Sequence, residues 1–412
     1  MNKQISTHAV SLLKKHNNKL ALLNFSAQNT VYIYSILGVF MSASFTNNSD
    51  QKGETSPFNH PIKGRGTANN MAGRFAITLV EIDENDEAIA LLETSSPKTE
   101  VRYERAKSII SRNSSPDIPF RMSVNPYKGC EHGCVYCFAR PTHAYLDLSP
   151  GLDFETKLVA KTNAPFLFEE ELAHPNYRCE PIALGINTDA YQPIEKQLKI
   201  TRQLLEIALA HNQPISLITK STLILRDIDL LSQMAAKKLV HVAISVTTLN
   251  NDLKRILEPR TASGKTRLQV IKTLRDAGIP VSVLVAPVIP FINDNELEEI
   301  VAACSEVGAQ SINYIMLRLP HEVAPLFSDW LHQHYPDRAE HVLQRLMDMR
   351  GGKLYNSQFG KRMTGEGIFA DLINQRFHIA RRKHGLDNHR LSYLDCRHFS
   401  VPPKEGDQMA LF

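Results

Sequence analysis

Val240-His-Val-Ala-Ile-Ser245 and Val281-Ser-Val-Leu-Val285 bracket a segment in which Leu268, Ile271 and Leu274 recur at helical spacing. Both runs are short, β-branched and nearly continuous, as strands buried on two faces should be. The helical stripe stops at Gly278, just before Pro280, which is a helix-end signal. A strand, a helix and a strand in this order predict a parallel pair joined by a crossover. The same rhythm repeats outward. Pro181-Ile-Ala-Leu-Gly-Ile-Asn187 and Ile215-Ser-Leu-Ile-Thr219 precede the unit, and Ile312-Asn-Tyr-Ile-Met-Leu317 follows it. Pro193 opens one helix, with Ile194, Leu198, Leu205 and Ala208 on one face. Asn293 or Asp294 is expected to cap another, with Leu297, Ile300, Val301, Cys304 and Val307 facing inward and Gly308 at its end. With the strand that leads into Cys130, the count comes to about six, an α/β fold of the incomplete (β/α)6 TIM-barrel type over residues 119–335.

The flanks read differently. Residues 1–60 form a lead-in, rich in Ser, Asn, Thr, Gly and Lys toward its end. Lys14, Lys15 and Lys19 precede an uncharged stretch from Leu20 to Asn48, but Asn24, Gln28, Asn29 and Thr30 interrupt its apolar run. A spanning helix rarely tolerates that, so no membrane segment is expected. A translation start at Met41 is the competing account of the same residues. Residues 61–118 form an N-terminal extension with a strand-like run at Phe75-Ala-Ile-Thr-Leu-Val-Glu-Ile82. Residues 336–412 form a C-terminal helical region, with helices expected over 338–350 and 361–384, and an extended tail.

With 43% hydrophobic and 22% charged residues the chain has an ordinary globular composition and enough apolar material for a barrel-sized core. Its net charge of +4 permits contact with nucleic acid without demanding it. Six cysteines, three of them clustered, do not form a disulfide framework, and a reducing, cytoplasmic setting fits them better.

The clustered three lie in Cys130-Glu-His-Gly-Cys134-Val-Tyr-Cys137. Three thiolates are one short of a closed iron–sulfur or zinc site. A four-iron cluster held this way keeps one iron open to a small molecule. Barrels of this type carry their chemistry at the carboxyl ends of the strands. There the sequence places Asn187-Thr188-Asp189, Thr219-Lys220-Ser221, Ser245-Val-Thr247-Thr248, Pro287-Val-Ile-Pro290 and Arg318. Hydroxyls and carboxylates suit a ribose, and a lysine suits a carboxylate.

Asn125-Pro-Tyr-Lys-Gly-Cys-Glu-His-Gly-Cys-Val-Tyr-Cys-Phe-Ala-Arg-Pro-Thr-His143 resembles the cysteine motif of the radical S-adenosylmethionine superfamily. With Asn187-Thr-Asp-Ala-Tyr-Gln-Pro-Ile-Glu195 and Glu258-Pro-Arg-Thr-Ala-Ser-Gly-Lys-Thr266, it is similar to the spore photoproduct lyase-like group, the DNA repair photolyases. The resemblance runs from about Gly64 to the C-terminus. It implies that Cys130, Cys134 and Cys137 ligate a [4Fe–4S] cluster and that S-adenosyl-L-methionine chelates the fourth iron. Reductive cleavage would then give a 5′-deoxyadenosyl radical that abstracts hydrogen from a substrate. It further implies that Tyr136 lies against the adenine. Thr188, Asp189, Lys220 and Ser245 would reach the ribose, amino and carboxylate groups. A reductant such as flavodoxin or ferredoxin would be needed, and nucleic acid would be the substrate. Two departures stand out. Spore photoproduct lyase returns hydrogen from a cysteine shortly before the Asp of its second-strand motif, where this chain has Ile186 and Asn187; Cys179 lies at the far end of that strand. Phe291 stands where related sequences usually carry Gly.

Rival readings remain for several of these features. Radical modification of a protein or an RNA would use the same site. A non-enzymatic iron–sulfur or zinc adaptor would need a fourth ligand, from His132 or His143, and no second cysteine pair exists. Cys304, Cys179 and Cys396 read as structural thiols. Gly264-Lys265-Thr266 lacks the glycine and the strand that a phosphate loop requires. Glu258 either approaches the cofactor or closes a helix-end salt bridge. The basic stretch 361–397 reads as a solvated helix face, with a phosphate-backbone site as its alternative. Gln408-Met409-Ala410-Leu411-Phe412 resembles the short peptide by which bacterial repair and replication proteins dock on the DNA sliding clamp.

Overall fold

The computed structural model describes residues 62–76, 97–387 and 394–403. The lead-in, most of the Phe75–Ile82 run and the clamp-like tail lie outside the described residues.

Among the described residues ten strands form two sheets. They are β1 (Glu100–Glu104), β2 (Ile110–Arg112), β3 (Met122–Val124), β4 (Tyr127–Lys128), β5 (Lys157–Lys161), β6 (Ile182–Leu184), β7 (Ile215–Thr219), β8 (Val240–Ser245), β9 (Val281–Val288) and β10 (Ser311–Met316). The main sheet has the order β10-β9-β8-β7-β6-β3-β2. Its strands from β3 to β10 are parallel, and β2 adds an antiparallel edge through Ile110↔Val124. The six expected parallel strands are therefore present, in sequential order. The edge strand β2 carried no clear period in the sequence. β10 and β2 do not pair, so the barrel is open. Loops from the two edges meet instead: Arg362 donates to Asp117 at 2.6 Å and to Ser115 at 2.6 Å. The small second sheet, β1-β5-β4, joins two strands of the long β3-to-β6 connection to β1, which precedes the main sheet in the chain.

Helices α1 (Ala164–Ala173), α2 (Ile200–Ala210), α3 (Ile228–Ala236), α4 (Asn251–Leu257), α5 (Gly264–Asp276) and α6 (Leu297–Glu306) supply the outer layer. Helices α7 (Val323–His334), α8 (Pro336–Asp348) and α9 (Ile368–Lys383) follow the last strand. The core joins strand residues Leu217, Val242, Val283 and Ile312 to helical Leu204, Leu231, Ile271 and Ile300. Each such side chain contributes about 1.5–3 kcal/mol through burial. β7 and β8 alternate between buried and half-buried positions rather than being closed on both faces. An open barrel has no far wall to cover its inner face.

Two helix expectations change. The helix from Pro193 is broken: a turn at Glu195–Leu198 ends at Lys199, which has φ 51°, and α2 starts afresh. The buried Glu195 carboxylate drives the break by accepting the free amide of Thr201 at 3.0 Å and the Arg226 guanidinium at 2.7 Å. Neither Asn293 nor Asp294 caps α6. Asn293 is buried and ties loops together, accepting from the Ile289 amide and donating to Thr247 O and Pro287 O. Asp294 accepts from the amide of Phe291 at 2.6 Å. Phe291 has φ 61°, in the left-handed region where glycine is at ease. Gly264 begins α5 under a Ser263 cap, so Gly264-Lys265-Thr266 is a helix start. Among the described residues no helix is long and apolar enough to cross a membrane.

Candidate functional site

The three cysteines occupy the loop that leaves β4. Gly129 (φ 75°) and Gly133 (φ 69°) turn it, and both are hemmed in. A Cβ on Gly129 would sit 2.9 Å from His143 and Leu158; one on Gly133 would meet the Glu155 carboxylate at 2.8 Å. The loop backbone is held by the protein around it. Cys130 N donates to Phe154 O at 2.9 Å, and Val135 N to Leu257 O at 3.3 Å. Gln192 grips the loop twice, donating to Gly129 O at 3.0 Å and accepting from Glu131 N at 3.1 Å. Arg140, fully buried, donates to Cys134 O at 2.9 Å and pairs with Glu155 at 2.5 Å. Glu155 in turn accepts the amides of Gly66 and Thr67, which straps the N-terminal segment across the loop.

Cys130 and Cys134 are buried, Cys137 is half-buried, and all three are free thiols. Burial pushes Cys130 well up; it pushes Cys134 up to about 12, opposed chiefly by the Lys220 ammonium. Thiols held in fixed positions can become ligands once iron displaces their protons. Soft sulfur donors of this kind suit iron–sulfur clusters. Among the described residues no three His, Cys, Asp or Glu side chains converge on a single metal ion. His132 is taken up by Asp189, at 3.2 Å, and His143 by Lys157 O, at 2.9 Å. Neither histidine therefore completes a zinc set.

The predicted rim residues gather at the carboxyl ends of the strands, in two groups. Thr188 and Asp189 serve the scaffold. Thr188 donates to Tyr127 O at 2.9 Å. Asp189 accepts from Thr219 Oγ1, Tyr191 N, Lys220 N and His132. Burial alone would raise its carboxyl; the His132 charge and these hydrogen bonds outweigh that and hold it at about 2.

The second group is built on Glu258, which is fully buried. It accepts from Tyr136 Oη, Thr247 Oγ1 and the Arg267 guanidinium. Burial raises its carboxyl, but Arg267 and Lys220 prevail and hold it at about 2. Glu258 ends α4 and pairs with Arg267, which is the helix-end salt bridge of its two expected roles, and through Tyr136 it also touches the cysteine loop. Arg267 also donates to Ser245 O at 3.0 Å, which fixes the end of β8. The Ser245 hydroxyl lies 3.4 Å from Ala286 O. Lys220 lies half-buried 5.9 Å from the Tyr136 ring centroid, with no hydrogen-bond partner among the described residues. Its pKa stays raised because Cys134 and Glu258 together outweigh the burial that would lower it.

Sequence reasoning missed Arg140, Glu155, Gln192 and Arg267. Arg140 and Gln192 fall inside the motif stretches and could have been suspected as supports. Glu155 and Arg267 carry no local pattern. The basic stretch is neutralised in part: Lys361, Arg362, Arg376 and Arg397 have carboxylate partners, whereas Arg381, Arg382 and Lys383 have none among the described residues.

A stapled three-thiol loop on the rim of an open parallel α/β barrel is a donor set of the kind that suits an iron–sulfur cluster. Residues 124–304 match the family model described as the Radical SAM superfamily, and this segment of the chain is a radical SAM domain. That superfamily uses a [4Fe–4S] cluster and S-adenosylmethionine. An uncharacterized protein of Mycobacterium tuberculosis is 38% identical over 222 residues, covering 53% of this chain and 65% of its own length. One of Methanocaldococcus jannaschii is 28% identical over 244 residues, covering 59% and 86%. The chain thus spans just under two thirds of the mycobacterial relative. A mutant spore photoproduct lyase superposes with a TM-score of 0.53 at 14% identity, over 76% of this chain and 86% of that one. The same enzyme complexed with dinucleoside spore photoproduct gives 0.53 at 15%, over 74% and 85%. At that identity the likeness establishes the fold.

Proposed function

We propose that the protein is a radical SAM enzyme acting on nucleic acid, in the manner of a repair lyase. One observation carries the reading: Cys130, Cys134 and Cys137 stand stapled on the barrel rim beside an unpartnered Lys220. The likeness of the fold to a lyase bound to a dinucleoside supports the choice of substrate class.

When bound, the cluster and S-adenosylmethionine supply an electron and a carbon-centred radical at this rim. The chain's own residues do the rest. The three cysteines would hold three irons. Lys220, a half-buried ammonium with hydrogen-bonding capacity to spare, would take the carboxylate of the sulfonium cosubstrate. Glu258 accepts a hydrogen bond from the Tyr136 hydroxyl and orients the ring, which the adenine would meet. Arg267 keeps that carboxylate charged and locks the end of β8. Thr188 and Asp189 fix the β6 turn so that Lys220 projects from a rigid base. A flavodoxin- or ferredoxin-type reductant in a reducing cytoplasm would deliver the electron near Cys137, the most exposed of the three. Among the described residues the other cysteines stand away from this rim, so hydrogen return, if the reaction needs it, falls to a group other than a cysteine of this rim.

Anaerobic reconstitution followed by dithionite and S-adenosylmethionine should release 5′-deoxyadenosine, and ultraviolet-irradiated DNA should raise the rate. Absence of release from a fully loaded cluster would falsify the enzyme reading. Release stimulated by RNA or protein but not by DNA would transfer the reading to modification of those polymers.

A further inference from the structure

Arg318, at the end of β10, differs from every arginine near it. Arg350 donates to Leu317 O at 2.8 Å and Arg362 O at 2.8 Å. Arg362 is bound to Asp117 and Ser115. Arg318 is half-buried and has no hydrogen-bond or carboxylate partner among the described residues. Its guanidinium lies 5.0 Å from the centroid of Phe138, the residue that follows Cys137. Burial and the nearby Arg362 work against its charge, while Tyr355, Asp117 and Cys137 lie close enough to favour it. A desolvated cation with no partner costs free energy that a bound anion recovers.

The aromatic ring beside it says which anion. Phe138 is 45% exposed, too open for a core residue. A second open ring lies on the same rim: Phe359 is 54% exposed and 4.8 Å from Arg362, a guanidinium whose charge Asp117 already takes. Open rings beside an unpaired guanidinium make a stacking platform for bases with a cation for a phosphate. A carboxylate on a peptide would use the cation and leave the rings without purpose.

We propose that Arg318 and Phe138 clamp one nucleotide of a nucleic-acid strand beside Cys137, the guanidinium on its phosphate and the ring against its base. The proposal rests on the nucleic-acid reading above and assigns the residues that deliver the strand to the radical. Arg318 is a positioning residue in this scheme, and Phe359 continues the platform.

The test uses the reconstituted full-length protein under anaerobic conditions. A fluorescent single-stranded deoxyoligonucleotide is titrated by anisotropy at several salt concentrations. Arg318→Ala should weaken binding about tenfold and lower the salt slope by about one. Phe138→Ala should weaken it by about tenfold with the slope unchanged, and Phe138→Trp should restore affinity. Arg397→Ala, which removes a paired surface charge elsewhere, should change binding less than twofold. Cluster absorbance is read for each variant. Equal binding by wild type, Arg318→Ala and Phe138→Ala overturns the clamp while leaving nucleic acid as substrate. So does a loss in Arg397→Ala matching that in Arg318→Ala, or a loss of cluster absorbance in both clamp variants. Wild-type protein that binds no oligonucleotide overturns the nucleic-acid reading itself, and the clamp with it.

Discussion

Two groups of thiols stand at opposite ends of the strands. Cys130, Cys134 and Cys137 lie at the carboxyl ends; Cys179 lies just before β6, where it donates to Gln213 Oε1 at 3.5 Å and Cys396 is its neighbour. Cys396 is brought there by a segment that follows the amino ends of the sheet. Asp395 N donates to Lys238 O, Ser400 N to His211 O, and Phe399 lies 5.3 Å from Tyr177. Burial raises Cys130 and Cys134 at one end and Cys179 at the other. Only the upper group has fixed cations, Lys220 and Arg267, working against that rise at Cys134. At the lower end the influences on Cys179 all push upward, from burial and from Cys396 and Glu180. A thiol becomes a ligand through the cations and the rigid backbone around it, and burial alone leaves it inert.

The sharpest way to break this contrast is replacement. Alanine at Cys130, Cys134 or Cys137 should remove the iron-dependent absorbance and all deoxyadenosine release. Alanine at Cys179 or Cys396 should leave iron content per chain unchanged, and a loss there would end the distinction.

Next in size is the charge pair behind the upper group. Glu258→Gln leaves Arg267 buried without its counter-charge and should cost about 3–5 kcal/mol in urea unfolding. The wild-type carboxyl is depressed to about 2, below its unfolded value of about 4.3. Its stabilisation is therefore full above pH 4.3 and is lost as pH falls toward 2. The Glu258→Gln variant should show a flatter acid limb across that window; an unchanged limb would remove Glu258 as its source.

Gly66→Ala is smaller but specific to the strap. Its Cβ would fall 1.7 Å from Gly133 O, so one backbone must shift. A cost of about 1–3 kcal/mol is expected, as for other overpacked sites, together with slower iron uptake during reconstitution. Normal uptake would show that the strap does not shape the loop. The least effect belongs to Phe291→Gly. Relief of about 1–2 kcal/mol of left-handed strain opposes lost ring contacts with Phe369 and Arg345, so the unfolding midpoint should scarcely move.

The parallel strands were legible because β-branched runs and helical stripes are local signals, and the cysteine loop because its spacing is a signature. The same spacing carried the cofactors. The roles of single rim residues were less legible. Thr188 and Asp189 have the right chemistry for a ribose, yet their atoms engage Tyr127 O, Thr219 and His132. Type and position do not reveal which way a side chain spends its hydrogen bonds. Arg267 and Glu155 were invisible for a related reason, since their partners are distant in the chain and buried pairing leaves no periodic trace. Phe291 shows the converse. The departure from glycine was noticed in the sequence, and the positive φ explains why glycine is usual there.

The contact between Gly66 and Gly133 has a consequence for where the working unit begins. The matched domain starts at residue 124, but Glu155 inside it is satisfied by Arg65, Gly66 and Thr67 outside it. A fragment cut at the domain border would strip the roof from the thiols and leave the buried Glu155 carboxylate with Arg140 as the one remaining donor of four. The smallest autonomous piece of this protein therefore reaches back at least to Arg65, and expression of the bare domain should yield a protein that loses its iron to chelators far faster than the full chain.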